Sequence, residues 1–401
     1  MEILFSHSRC RRYSTEKLRK PLMRVHRSIL IMFLMMFVGV LAVESASAQA
    51  AQQQKPLMVE DVFKNVQILK GIPVDEFMDT MGFFAAALSL NCTECHTPES
   101  ENSWAKYADD TPLKQTARRM MQMVTAINKQ HFAGARAVTC YTCHHGTQRP
   151  KAVPSLVIQY SAPLEDPNEV DPNEVGVTGQ DPAGLILDKY IQAIGGAARL
   201  ASVTSLAVKG TYSGYDTYHQ KVAMEIYAQA PDRAATIVHE VGPTKADSVK
   251  VYDGRAGWIV SGNKPVPVMP LTGGNLAGAK LDANLLFPAQ IKQAFTQWRT
   301  GTAAIDDHDV QVVQGANAGQ PPVKLYFDPN SGLLVRLVRY SDTAIGPVPT
   351  QIDYSDYRDV SGVKIPFRWT VTWTDNQTFI QLTEVRPNVP IDASRFARPA
   401  Q

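Results

Sequence analysis

Two five-residue stretches constrain this chain more than any other feature: CTECH at Cys92–His96 and CYTCH at Cys140–His144. Each sets two thiols three residues apart and an imidazole directly after the second. Together they use four of the five cysteines, and the fifth, Cys10, lies near the N-terminus. Three chemistries share this spacing. A zinc ribbon wants about 15–20 residues between its CxxC pairs, whereas 44 residues, His96 to Thr139, lie between them here. A thioredoxin-like dithiol sits in a βαβ context, and the flanking sequence here reads as helical. In the third, two thiols add to the two vinyl groups of haem and the adjacent His reaches the iron from the same side. The motifs therefore predict two covalent haem c groups. Cys92, Cys95, Cys140 and Cys143 are the attachment points, and His96 and His144 are iron ligands.

The segments before each motif share a pattern. Residues 57–71 have helical apolar spacing ending at Gly71. Pro73 opens a second helix, PVDEFMDTMGFFAAALSL, with an apolar stripe of Val74, Met78, Met81, Ala85 and Leu88 that runs into CTECH. Thr111-Pro112 reads as an N-cap and first helical residue. The helix after it carries Leu113, Ala117, Met120, Val124 and Ile127 on one stripe and leads to CYTCH. One unit thus occurs twice: an amphipathic helix bearing methionines, a turn, then CxxCH.

The N-terminus reads as an export signal. Basic residues end at Arg24 and Arg27, the apolar run Ile29–Val43 follows, and SASAQA supplies small residues at peptidase spacing. Without residues 1–50 the chain holds 32 Lys/Arg and 35 Asp/Glu, so its basic pI gives no support to nucleic-acid binding. The expected location is the periplasm, which is also where haem c is attached.

Residues 151–181 read as a linker rich in Pro, Asp and Asn, containing DPNEVDPNEV. From 182 the texture changes to one helix broken at Gly195-Gly196, then many short alternating segments. These include SLAVKGTYS, KVAMEIYAQ, VKLYFDP, GLLVRLVRYS and FIQLTEV, with a helix around Leu285–Trp298 between them. The expected architecture is multidomain: a signal peptide (1–50), an all-α dihaem cytochrome c domain (51–150), the linker (151–181), and an α+β domain with a curved antiparallel sheet (182–401). The scattered His219, His239 and His308 read as structural or exposed, and no catalytic signature is present after 182.

Residues 62–149, from VFKNVQILKGIPVDEFMDTMGFF through NCTECH and RRMMQMVTAIN to VTCYTCHHG, resemble the cytochrome c subunit of photosynthetic reaction centres. The resemblance implies a multihaem electron donor built from helix–turn–CxxCH units. It also implies a distal Met from the preceding helix for each haem. Met81 is the choice for the first, with Met78 as the alternative. Met120 is the choice for the second, with Met121 and Met123 competing. Members of that family typically carry four haem units, whereas this chain has two motifs, and His145 stands where Arg is common. The second half resembles, by pattern, the half-barrel of periplasmic lipoprotein-carrier proteins, which implies a concave sheet able to take an apolar ligand. The expected role is therefore an electron carrier rather than an enzyme. Its partners would be a redox donor and acceptor, such as a membrane-bound reaction centre or a dehydrogenase. A dihaem peroxidase and a ligand-binding carrier or sensor are the competing readings.

Overall fold

The computed structural model describes residues 55–159, 183–242, 245–261 and 264–399. The expected signal peptide and most of the expected linker lie outside the described residues. Pro56–Gln401 forms one compact unit.

Between 56 and 159 the described elements are helices: α1 (Val59–Val62), α2 (Val74–Leu88), α3 (Cys92–Cys95), α4 (Pro112–His131), α5 (Cys140–His144) and α6 (Leu156–Gln159), with 3-10 turns at Pro98–Asn102 and Trp104–Ala108. The helix expected over 57–71 is one turn only. Its backbone groups bond across the chain instead: Val59 N–H donates to the Ile72 carbonyl and Val74 N–H to the Leu57 carbonyl, and Asn65 takes a left-handed conformation while its side-chain amide donates to the Ala108 carbonyl. These long-range bonds outcompete the i→i−4 ladder. Thr111 caps α4 as expected, its hydroxyl accepting from Lys114 N–H.

Among the described residues after 183, the strands form one antiparallel sheet of thirteen, β1 (Ser205–Ser213), β2 (Val222–Gln229), β3 (Arg233–Val241), β4 (Ala246–Tyr252), β5 (Gly257–Ser261), β6 (Val268–Pro270), β7 (Gln297–Ile305), β8 (His308–Ala316), β9 (Val323–Phe327), β10 (Leu334–Thr343), β11 (Gly346–Val360), β12 (Val363–Thr372) and β13 (Gln377–Pro387). The order is β6-β5-β4-β3-β2-β1-β13-β12-β11-β10-β9-β8-β7. The sheet is curved and unclosed, with β6 and β7 as its free edges. Helices α7 (Ala183–Ala193), α8 (Ala197–Ala201) and α9 (Gly273–Leu286) accompany it. The main core joins Leu187 and Ile194 to Met224, Leu325, Phe327, Leu337 and Leu382. The helix read around Leu285–Trp298 is displaced: α9 ends at Leu286, a 3-10 turn spans Pro288–Gln293, and Trp298 is in β7. Glycine permits the earlier start. A Cβ at Gly278 would lie 2.4 Å from the Arg339 guanidinium, and one at Gly274 would lie 2.6 Å from the Ser341 backbone. The helix fits there because those side chains are missing, although glycine lowers its propensity.

One end of the sheet holds α2. Phe83 and Ala87 pack with Ile345 and Val348 from the β10–β11 hairpin. A Cβ at Gly346 would come within 2.9 Å of the Phe83 ring. Thr374, in the β12–β13 turn, abuts Gly82. The α9 N-terminus receives the acidic side of α2: buried Asp75 accepts from Thr272 N–H at 2.6 Å and from its hydroxyl at 2.8 Å, and Asp79 accepts from Asn275 at 2.8 Å. A helix N-terminus favours such negative charge. Burial nevertheless pushes the Asp79 carboxyl up to about 7.

Candidate haem centres

Each CxxCH motif forms a single capped helical turn. Asn91 accepts from Glu94 N–H while the Glu94 carboxylate accepts from Asn91 N–H. Thr139 and Thr142 make the same reciprocal pair at α5. This capping box satisfies two otherwise orphaned N–H groups, so the motif holds its turn although four or five residues are too few to be stable alone.

The two histidines are held alike. His96 Nδ1 is 3.1 Å from the Tyr107 carbonyl, and His144 Nδ1 is 3.0 Å from the Thr147 carbonyl. A carbonyl can only accept, so each ring carries its proton on Nδ1 and leaves the Nε2 lone pair free. Ligating histidines are commonly fixed in this way. Burial, assisted by nearby Lys114, pulls His96 below the usual imidazole range and so favours the neutral ring that binds iron. Tyr107 also lays its ring on His96, with centroids 4.8 Å apart, and Trp104 stacks on Tyr107 at 5.0 Å.

Among the described residues, the four cysteines form no disulfide. Cys92 and Cys143 are exposed, Cys95 is half-buried and Cys140 is buried. Among the described residues, no group of three or more His, Cys, Asp or Glu side chains could hold a metal ion, so the two CxxC pairs do not converge as a zinc ribbon requires. The donor set fits covalent haem: two thiols and one oriented imidazole on each turn.

The methionines divide into two groups. Met81 is half-buried at the edge of the cluster containing Phe83 and Leu69. Met78 is also half-buried. On α4, Met121 is buried beside Cys140, whereas Met120 is 36% and Met123 44% exposed. Phe83 and Ala87 of α2 pack with the β10–β11 hairpin, and Gly82 abuts Thr374. The apolar stripe read from the sequence is buried at Val74 and only partly covered at Met78, Met81, Ala85 and Leu88. The stripe of α4 is likewise partly covered, with Leu113, Val124 and Ile127 half-buried. Apolar stripes normally face a core, and an apolar macrocycle would cover both.

His131 and His145 are exposed, with His145 in a left-handed conformation at the C-cap of α5 and its ring against Tyr141 at 5.5 Å. Arg118 is engaged by Asp110 at 2.8 Å, whereas Arg119 and Arg149 are exposed. His239 pairs with Asp247 at 3.1 Å, and His219 and His308 are exposed. The carbonyls of Tyr107 and Thr147 were not legible in advance. Backbone acceptors carry no side-chain signature, and only their positions, eleven and three residues after the histidines, set them in reach.

Residues 39–174 match the family model described as photosynthetic reaction centre cytochrome C subunit. This segment is homologous to those subunits. The subunit of Thermochromatium tepidum is 36% identical over 140 residues, 34% of this chain and 31% of the relative. That of Rubrivivax gelatinosus is 38% identical over 97 residues, 23% of this chain and 25% of the relative. The match thus spans less than a third of either relative. Residues 270–382 match a family of unknown function, DUF6544. Among solved structures, a LolA superfamily protein from Nitrosomonas europaea aligns over 54% of this chain and 98% of its own, with 13% identity and a TM-score of 0.37. A DUF1329 family protein from Desulfovibrio piger aligns over 54% and 98%, with 11% identity and the same TM-score. Among the described residues, no helix is long and apolar enough to cross a membrane.

Proposed function

We propose that this chain is an exported c-type cytochrome that carries electrons through two covalently held haems. One observation carries the reading: both CxxCH turns are capped, and both histidines have Nδ1 committed to a backbone carbonyl, which leaves Nε2 free. Cys92 and Cys95 would hold one haem and Cys140 and Cys143 the other, with His96 and His144 as proximal ligands. Met81 and Met120 are the proposed distal ligands, both on stripes that the protein itself covers only in part. When bound, the haem supplies the Fe(III)/Fe(II) couple. The chain's own residues fix the imidazole tautomer, exclude water with the α2 and α4 stripes, and raise the potential through thioether ligation. Homology to reaction centre subunits supports a redox protein as donor or acceptor, a reaction centre or a dehydrogenase, and the leader supports a periplasmic location.

The test is the reduced optical spectrum of the purified exported protein, with haem counted per chain and carbon monoxide added. Two haems and a c-type spectrum unchanged by carbon monoxide are expected. A stoichiometry of one or none overturns the dihaem reading. A clear carbon monoxide shift overturns one distal Met and favours a peroxidase or sensor.

A further inference from the structure

The carbonyls that orient the two histidines differ in what else they hold. The Tyr107 carbonyl, 3.1 Å from His96 Nδ1, also accepts from the Lys114 ammonium at 2.8 Å. The same ammonium donates to the Asp109 carbonyl at 2.6 Å. No carboxylate among the described residues pairs with it, since Asp109 is taken by Lys106 and Asp110 by Arg118. At the second motif the Thr147 carbonyl accepts from His144 and from no cation among the described residues. The placing of Lys114 is itself unfavourable. It is the third residue of α4, its N–H capped by Thr111, where a capping box carries Glu or Gln and the helix dipole disfavours a cation. Half-burial adds to this and pulls the ammonium below the usual lysine range. The Thr111 hydroxyl donates to the Cys95 carbonyl at 2.6 Å, so the start of α4 is fastened to the first motif at two points. A cation held there against the helix dipole, on the oxygen that orients an iron ligand, is not explained by stability.

We propose that Lys114 raises the reduction potential of the first haem through the carbonyl it shares with His96. The inference rests on the dihaem reading and gives that reading a tuning residue. Two effects act in one direction. An ammonium on the Tyr107 oxygen draws its lone-pair density, so the oxygen accepts less strongly from His96 Nδ1–H and the ring becomes a poorer electron donor. Fe(III) depends on that donation more than Fe(II) does. The ammonium's own charge, half-buried and without a carboxylate partner, also disfavours the more positive oxidation state. Hydrogen bonding to an axial ligand is one of the levers by which a protein sets a haem potential. Glu94, Glu99 and Glu101 pull the other way, but they are exposed and screened by water and salt. Lys114 acts through the Tyr107 carbonyl and is therefore a positioning residue. Because the Thr147 carbonyl carries no such cation, the effect belongs to one site of the two.

Spectroelectrochemical titration of the full chain should give two one-electron steps. In K114M one step should fall, so that the Fe(III)/Fe(II) ratio at a fixed potential rises about tenfold, about 59 mV for one electron. The other step should stay. The fall should recur when K114M is placed in C140A/C143A, which keeps the first motif, and be missing when it is placed in C92A/C95A. K114R keeps a cation and should restore most of the parent value. Proton NMR of the reduced, diamagnetic chain gives the second readout. The His96 Nδ1–H signal should move downfield in K114M, because a carbonyl released from the cation accepts more strongly, while that of His144 stays. Equal potentials in the parent and K114M, with haem content unchanged, overturn the proposal. A potential that falls while the His96 signal moves upfield also overturns it, because that combination marks a loosened loop and not a released carbonyl. A chain with no haem on Cys92 and Cys95, recognised by intact mass, refutes the dihaem reading and the tuning with it.

Discussion

The first and second CxxCH units are alike at short range and unlike at long range. Each is a capped turn whose histidine rests on a carbonyl supplied by the following loop. Around them the resemblance stops. The first has both an exposed and a half-buried thiol and an aromatic pair, Tyr107 and Trp104, over its imidazole. The second has Cys140 buried beneath the β10–β11 hairpin, with Arg136 clamping Asp342 and the Thr343 carbonyl. Gly146 N–H donates to the Ala87 carbonyl, and the Ser89 hydroxyl to the Gly146 carbonyl, so the second unit also leans on the helix of the first. The motif determines local geometry by itself, and the remote strands determine how enclosed each copy becomes.

The largest expected effect separates the two copies outright. C92A/C95A and C140A/C143A should each lose one haem of two, measured by intact mass and by haem content per chain. Loss of both haems from either variant would mean that the sites are assembled jointly.

Enclosure of the second unit is tested by Gly346→Val. The new side chain would collide with the Phe83 ring and Thr139, at a cost of about 1–3 kcal/mol. Thermal unfolding should fall accordingly, and the spectrum of the second haem should change more than that of the first. An unchanged melting temperature would show that the hairpin does not bear on α2.

The sheet supplies a contrast that should leave both units untouched. Burial alone would raise the Asp282 carboxyl, but Arg339 and Lys250 beside it hold it below the usual range. A carboxylate lowered on folding contributes stability above the ordinary carboxylate range and loses it as pH falls through the folded value. Asp282→Asn should therefore cost about 1–2 kcal/mol at pH 7 and flatten the acid limb of a stability–pH profile. An acid limb as steep as that of the parent would remove Asp282 from the account.

The smallest effect compares the caps. Asn91→Ala and Thr139→Ala should each cost about 1 kcal/mol, read from denaturant midpoints. A much smaller loss at Thr139 would show that the hairpin holds the second turn without its cap.

Much of this was legible in the sequence. SLAVKGTYS became β1 without a shift of boundary, Thr111 capped α4, and Gly195-Gly196 split α7 from α8. The misses share a cause. The 57–71 segment has helical spacing, yet Asn65 and Glu60 bond to Ala108 and Gly71, and no local pattern reports partners that far along the chain. The stripe on α2 is legible, but that the sheet takes Phe83 and Ala87, which lie off it, is not. Two faces of that helix are apolar, and periodicity does not say which one meets protein. The strands β3, β7 and β8 went unrecognised because RAATIVHEV, QWRTGTAAI and HDVQVVQGA alternate only weakly.

The pairing of β1 with β13 in the middle of the sheet, with Leu206 opposite Pro387, has a consequence for the order of events during folding. Neither half of the sheet can join the other until β13 has emerged, and such long-range closure is slow. The supports of α2, the β10–β11 and β12–β13 tips, arrive equally late. The segment bearing all four thiols therefore emerges some two hundred residues before its cover does. Throughout that interval Cys140 remains as approachable as Cys92.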